Sequence, residues 1–222
     1  MTSVWQQALA ELTRRYGRAA QPRGETRLER AIVIVARARS DAAAAKLLQT
    51  LRDADVLSID ALASLSPDEL STIMPEGLAA GTSRRLVDFA RFVARDYQCE
   101  LELLAKSTLD QLRGELRNIN GLGPETIDTL LLVVSNFSVM PITAALHRVT
   151  KRHGWIDLEA DSESIAAEFG TAVFESAEEY WQFHELVEQV GKEFCGRRAL
   201  CEKCPLVSLL PEGGARERGE WD

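Results

Sequence analysis

The sequence predicts an all-α protein of about ten helices, from three kinds of observation. Helix-start signals recur along the chain, apolar residues return at helical rather than alternating spacing, and Gly/Pro clusters separate the periodic stretches. Residues 3–16 place Val4, Leu9 and Leu12 on one face, and a loop rich in Gly, Pro and Arg follows from Gly17 to Glu25. The run Ala31-Ile32-Val33-Ile34-Val35-Ala36 is β-branched enough for a strand. The alanine-rich stretch Asp41–Leu51 behind it favours a packed helical pair, so a helix is expected from about Leu28 to Arg39. Ser58 opens a short helix. Ser66-Pro67-Asp68-Glu69 is a complete start signal, with N-cap serine, proline at the first position and glutamate at the third, and that helix must stop before Pro75. Thr82–Asp96 is the next helix, and Thr108-Leu109-Asp110-Gln111 begins another. Pro124–Asn136, Ile142–Arg152 and a helix opened by Ser176-Ala177-Glu178-Glu179 and running to Phe194 complete the set.

At 222 residues the chain can bury a large core, in one domain or two closely packed lobes. It has no 18-residue apolar run, and its start, Met1-Thr2-Ser3-Val4-Trp5-Gln6, lacks the pattern of an export signal. Neither a membrane span nor secretion is expected. The four cysteines then argue against a disulfide framework and for a cytoplasmic location. The net charge of −8 counts against simple polyanion binding, because affinity for DNA comes largely from Lys and Arg displacing counterions. The charge is uneven, however. Arg14, Arg15, Arg18, Arg23, Arg27, Arg30, Arg37 and Arg39 face only Glu11, Glu25 and Glu29 in the first 39 residues, an excess of five positive charges that leaves thirteen negative on the remainder. The arginines form either a basic arm that offsets an acidic body or a solvated helix face.

The segment Leu116-Arg117-Asn118-Ile119-Asn120-Gly121-Leu122-Gly123-Pro124-Glu125-Thr126 carries most of the chemistry. Gly121 and Gly123 allow a tight turn and a close approach to a partner, and Pro124 sits where a second helix begins. The free N–H groups of such a hairpin and of the helix behind it point at one spot, a natural phosphate site. Asn120, Gly121, Leu122, Gly123 and Thr126 are therefore candidate contacts to a nucleic-acid backbone. An ordinary helix–loop–helix connection is the alternative, since two spaced glycines are a weak signal on their own.

With INGLGPETIDTLLL, SVMPITAALHRVTKRHGW and YWQFHELVEQVGKEFCGRRALCEKCPL in order, the chain resembles the helix-hairpin-helix (HhH-GPD) DNA glycosylases of the endonuclease III superfamily over residues 28–210. It is most similar to the endonuclease III-related branch, some members of which remove alkylated bases. The resemblance implies a two-lobed helical fold. One lobe is 28–154, with the hairpin at about 108–137, and the other is 1–27 plus 155–222. It also implies base excision repair on duplex DNA, damaged or intact, by a monomer associated with the nucleoid.

The family's chemistry needs a base flipped out of the stack and an aspartate that supports an oxocarbenium-like sugar and activates water. Bifunctional members add a Schiff-base lysine. Here the lysine position is Glu125, which excludes that lyase route, and the aspartate position is Thr143, followed by Ala144 and Ala145. A threonine hydroxyl is not anionic near pH 7, and losing the charge is worth roughly 10²–10⁴ in rate. Arg37 sits nearest the position where the family often carries a glutamine that fills the space of the extruded base, and is expected to meet a phosphate instead. Lys192 matches a pocket lysine of some members; carbamylated it would restore an anion, unmodified it would serve the helix end. Three departures at the reaction centre imply that the standard glycosylase machinery is lost.

Cys195, Cys201 and Cys204 have ligand-like spacing, and the resemblance implies a [4Fe-4S] cluster there, but the fourth position is Leu210. A three-thiolate cluster with an open or borrowed fourth ligand, a zinc site using His184 or a carboxylate, and a loop held by packing alone all remain open, and Cys99 is not expected to reach the loop. Arg197 and Arg198 between the first two cysteines are candidate phosphate contacts, with Lys203 behind them. His147 is expected to pack or face solvent rather than to catalyse, Asp128 to support the hairpin, Trp155 and Trp181 to sit in the core, and Trp5 to cover the seam between lobes. The competing functions are a repair enzyme or lesion binder, a non-catalytic DNA- or protein-binding scaffold, and a redox or metal module on the cysteine loop.

Overall fold

The structure is a computed structural model that describes residues 3–38, 40–170 and 173–216. Its described residues form eleven α-helices and three short 3-10 helices, with no strand. The helices are α1 (Val4–Tyr16), α2 (Arg27–Ala36), α3 (Asp41–Asp53), α4 (Ile59–Ser64), α5 (Pro67–Ile73), α6 (Thr82–Tyr97), α7 (Leu109–Leu116), α8 (Pro124–Val133), α9 (Ala144–Arg152), α10 (Ser162–Phe169) and α11 (Ala177–Glu193). The 3-10 helices span Leu101–Lys106, Cys201–Lys203 and Val207–Leu209. The all-α expectation and most helix starts hold. No helix among the described residues is long and apolar enough to cross a membrane.

Hydroxyl and carboxylate caps set the starts. Ser3, Thr26 and Ser66 each accept from the backbone three residues on while Gln6, Glu29 and Glu69 return the bond, closing three capping boxes. Ser40, Ser58, Thr108, Thr143, Asp161 and Ser176 cap six more helices. α2 stops three residues short of the expected end because Arg37 turns left-handed, at φ 58° and ψ 39°. Arg39 lies outside the described residues. α9 starts at Ala144 rather than Ile142 because Thr143 is its cap. α8 ends at Val133, ahead of Asn136, which has φ 60°.

The chain divides into two compact units, 21–137 and a second made of 1–20 with 138–222. The helix after the hairpin thus falls with the chain ends instead of with 28–154. In the first unit α6 is central and packs on α2, α4 and α5, burying Leu86, Phe89, Ala90 and Val93. α2 also meets α3 and α8, and α7 pairs with α8. In the second unit α11 packs between α1 and α9, with Phe183, Leu186, Val187 and Val190 buried. Trp5 packs on Trp155, Phe169 and Phe183, all in its own unit, so it is a core residue rather than a seam cover. Trp181 is half-buried and donates its indole N–H to the carbonyl of Ala20, so it is less of a core residue than expected.

Candidate nucleic-acid interface

In the first unit, α7 leads into a turn at Ile119–Gly123 and α8 leads out. Gly121 has φ +84°, and a Cβ there would stand 3.0 Å from the Cγ and Cδ of Arg85. Gly123 is the N-cap of α8 in an extended conformation and offers no side-chain cap, with Pro124 at the first turn. The first N–H groups of α8 are left without intrahelical partners, as at any helix start, and no cap occupies them. Asn120 and Gly121 are exposed, whereas the Leu122 and Thr126 side chains are buried, so these two present backbone rather than side chain. Asp128 supports the hairpin as expected: it accepts from Arg113 Nε at 3.0 Å, tying α8 to α7. Burial pushes its carboxyl above the usual aspartate value, and Arg113 opposes this in part.

Arg37 reaches this turn. Its Nε donates to Thr126 Oγ1 at 3.4 Å, and its Nη2 would lie 3.7 Å from a Cβ on Gly123. Behind it is Arg85, a residue the sequence did not single out. It is 7% exposed and donates to the carbonyls of Val35 (3.2 Å) and Ala80 (3.1 Å) and to Thr82 Oγ1 (2.8 Å). Burial and then the charge of Arg37 hold its pKa below the ordinary arginine value. The Arg37 guanidinium therefore stands beside the open helix start with the stem of Arg85 against the turn, and none of the described ion pairs includes either arginine. Glu125 is exposed on the first turn of α8. It carries no amine, so Schiff-base chemistry has no nucleophile there.

In the second unit, Thr143 is 6% exposed and its Oγ1 accepts from the Leu146 N–H at 3.1 Å. Its hydroxyl is a helix cap, Ala144 is exposed and Ala145 buried. Lys192 lies exposed near the end of α11, and His147 is half-buried. Arg148 donates to the carbonyl of Cys195 at 2.8 Å. Arg152, only 2% exposed, donates to Cys195 Sγ (3.3 Å) and to the carbonyls of Gly196 (2.7 Å) and Arg197 (3.2 Å). These bonds and a Cys195–Ala199 bridge hold the loop, on which Arg197 and Arg198 are exposed.

The residues do not fit a four-thiolate cluster. Cys195 and Cys204 are buried and Cys201 half-buried, but Leu210 stands in the fourth position. No three His, Cys, Asp or Glu side chains among the described residues are grouped to hold a metal ion. His184 is turned toward Trp181 and Glu185, and the thiol of Cys99, in the other unit, donates to Asp60 at 2.8 Å.

Fold and site together define a helix-hairpin-helix protein with a basic turn. No protein-family model matches the chain. A Methanocaldococcus jannaschii protein named as a DNA repair glycosylase is 29% identical over 164 residues, 72% of this chain and 74% of that one. Endonuclease III of Sulfolobus acidocaldarius is 26% identical over 151 residues, 65% of this chain and 66% of the relative, so the chain spans about two thirds of that protein. The structure of a trapped covalent intermediate of endonuclease III with DNA superposes with a TM-score of 0.71 at 18% identity, over 95% of this chain and 97% of that one. The chain is thus similar over about two thirds of its length to proteins named as a DNA repair glycosylase and as endonuclease III, and it has the endonuclease III-like helical fold.

Proposed function

We propose that the protein binds duplex DNA at damaged sites through its hairpin, without the lyase reaction of bifunctional relatives. The observation that carries this reading is the turn itself: Gly121 at φ +84°, an uncapped helix start at Gly123–Thr126, and Arg37 and Arg85 beside it. Backbone N–H groups with the nearby Arg37 guanidinium suit a phosphate and read no sequence. Arg197 and Arg198 supply a second, weaker backbone contact. Glu125 in the lysine position withdraws the Schiff base, and Thr143, used as a helix cap, withdraws the standard carboxylate.

The test is binding to a duplex with a stable abasic-site analogue, beside the matched intact duplex, at two salt concentrations. Tighter binding to the abasic duplex is expected, with log K falling by about 0.9 per phosphate contacted for each decade of salt. Equal affinity for both duplexes removes the damage reading, and no binding to either removes DNA.

A further inference from the structure

The cysteine loop of the second unit keeps three thiols although its residues do not fit a four-thiolate cluster, and the three stand in different surroundings. Cys195 is buried, its Sγ accepts from Arg152 Nη1 at 3.3 Å, and its N–H is bound to the carbonyl of Val190 at 2.8 Å. That sulfur is held against the end of α9. Cys204 is buried too. Burial pushes its thiol above the usual cysteine value, a backbone hydrogen bond at Leu206 opposes this, and the neighbouring Cys195 and Cys201 add to the rise. Cys201 is half-buried and lies between exposed residues, Leu200 before it and Glu202 and Lys203 after it, so it is the thiol that solvent reaches most readily.

The backbone pairs Cys201 with Cys204. Cys201–Lys203 is a 3-10 helix, and the Cys204 N–H closes it on the carbonyl of Cys201 at 3.1 Å. Such a helix rises about 2.0 Å per residue with three residues per turn, so residues three apart eclipse one another with Cα atoms about 6 Å apart. A disulfide spans about 4.4–6.8 Å between Cα atoms. A bond between these two sulfurs therefore needs rotation of two side chains and no movement of the chain. Leu210 leaves no fourth thiolate to claim the pair for a cluster.

We propose that Cys201 and Cys204 are a reversible dithiol–disulfide pair, oxidised by a low-molecular-weight disulfide of the glutathione type, and that the bridge fixes the end of the loop that carries Arg197 and Arg198. The Cys201 thiolate attacks one sulfur of the oxidant, whose S–S bond breaks with the electron pair leaving on the other sulfur. Cys204 then gives up its proton and its sulfur attacks that of Cys201, expelling the second half of the oxidant as a thiolate. The two protein thiols lose two electrons and two protons, and the oxidant becomes two thiols. The buried thiol thus resolves what the more open one begins.

Trypsin cuts the chain after Lys192, Arg197, Arg198, Lys203 and Arg216, which puts Cys195, Cys201 and Cys204 on three different peptides. The full-length protein is equilibrated anaerobically with mixtures of reduced and oxidised glutathione, quenched with acid, alkylated, digested and weighed by mass spectrometry. Peptide 199–203 should be joined to peptide 204–216, with 193–197 alkylated, in a fraction that rises with the oxidised share and falls when reduced glutathione is restored. The thermal midpoint of the oxidised protein should rise by a few degrees, and Cys201→Ser should abolish that shift. Brief digestion of the folded protein should cut after Arg198 about three-fold or more slowly once it is oxidised. No joined peptides at a roughly ten-fold excess of oxidised glutathione, a bond through peptide 193–197, or a bond that does not reverse overturns the assignment. A midpoint shift that survives Cys201→Ser, or equal cleavage after Arg198 in both states, does the same. So does iron or zinc that purifies anaerobically with the protein in equimolar amount.

Discussion

The hairpin at 119–126 and the cysteine loop at 195–204, the two segments proposed to contact a phosphate backbone, hold their shapes by different means. The hairpin depends on conformation: a left-handed glycine, a proline at a helix start, and the stem of Arg85 against the turn. The loop depends on side chains from elsewhere, with Arg148 and Arg152 of α9 holding its carbonyls and one thiol. A site made of backbone survives changes in the residues around it. A site made of ligands changes character when one ligand becomes Leu210.

The largest effect that separates the two is expected at Arg152. Arg152→Met removes the donor to a buried thiol and to two loop carbonyls and should cost about 3 kcal/mol, seen as a lower midpoint in thermal unfolding. Below that midpoint, duplex binding by the hairpin should remain. Gly121→Val attacks the other region. The left-handed φ penalises a β-branched side chain by roughly 1–3 kcal/mol, and the new Cβ presses on Arg85. Duplex affinity should then fall about ten-fold or more by fluorescence titration. If it does not, the hairpin is not the grip.

Smaller effects refine the contrast. Replacing Arg197 and Arg198 by alanine should reduce the salt slope of binding by about 2, and Arg37→Ala by about 1, with the fold intact in each case. Leu210→Cys would give the loop a fourth thiol; anaerobic reconstitution with iron and sulfide should then yield visible absorption stronger than wild type. The smallest effect lies at Glu29. Burial alone would raise its pKa, but the N–H groups of Glu25 and Thr26 and the Arg52 guanidinium outweigh this and hold it below the ordinary 4.5. Its stabilisation is full above that value and is lost as pH falls through the lowered one. Glu29→Gln should cost about 1 kcal/mol at pH 7 and progressively less in acid, measured by denaturant unfolding.

The hairpin and most helix starts were legible because their signals are local. A serine three residues ahead of a glutamate, or glycine before proline, acts within one turn. The α10 helix was missed although Asp161 caps it through the Ser164 N–H, a signal present in the sequence but unaccompanied by a long apolar period. Arg85 and Arg152 left no pattern at all. Both are buried on main-chain carbonyls contributed by distant segments, and no residue type in the sequence marks a carbonyl as an acceptor. Thr143 was expected at the reaction centre as a lost acid; its role as a helix cap emerged only with the start of α9.

Arg37 sits at φ 58°, a conformation that glycine or asparagine adopts with less strain. A population of variants selected only for heat resistance should therefore drift toward glycine at this position, gaining a few tenths to about 1 kcal/mol while losing a guanidinium beside the turn. The arginine thus marks a place where the demands of durability and of nucleic-acid binding pull in opposite directions.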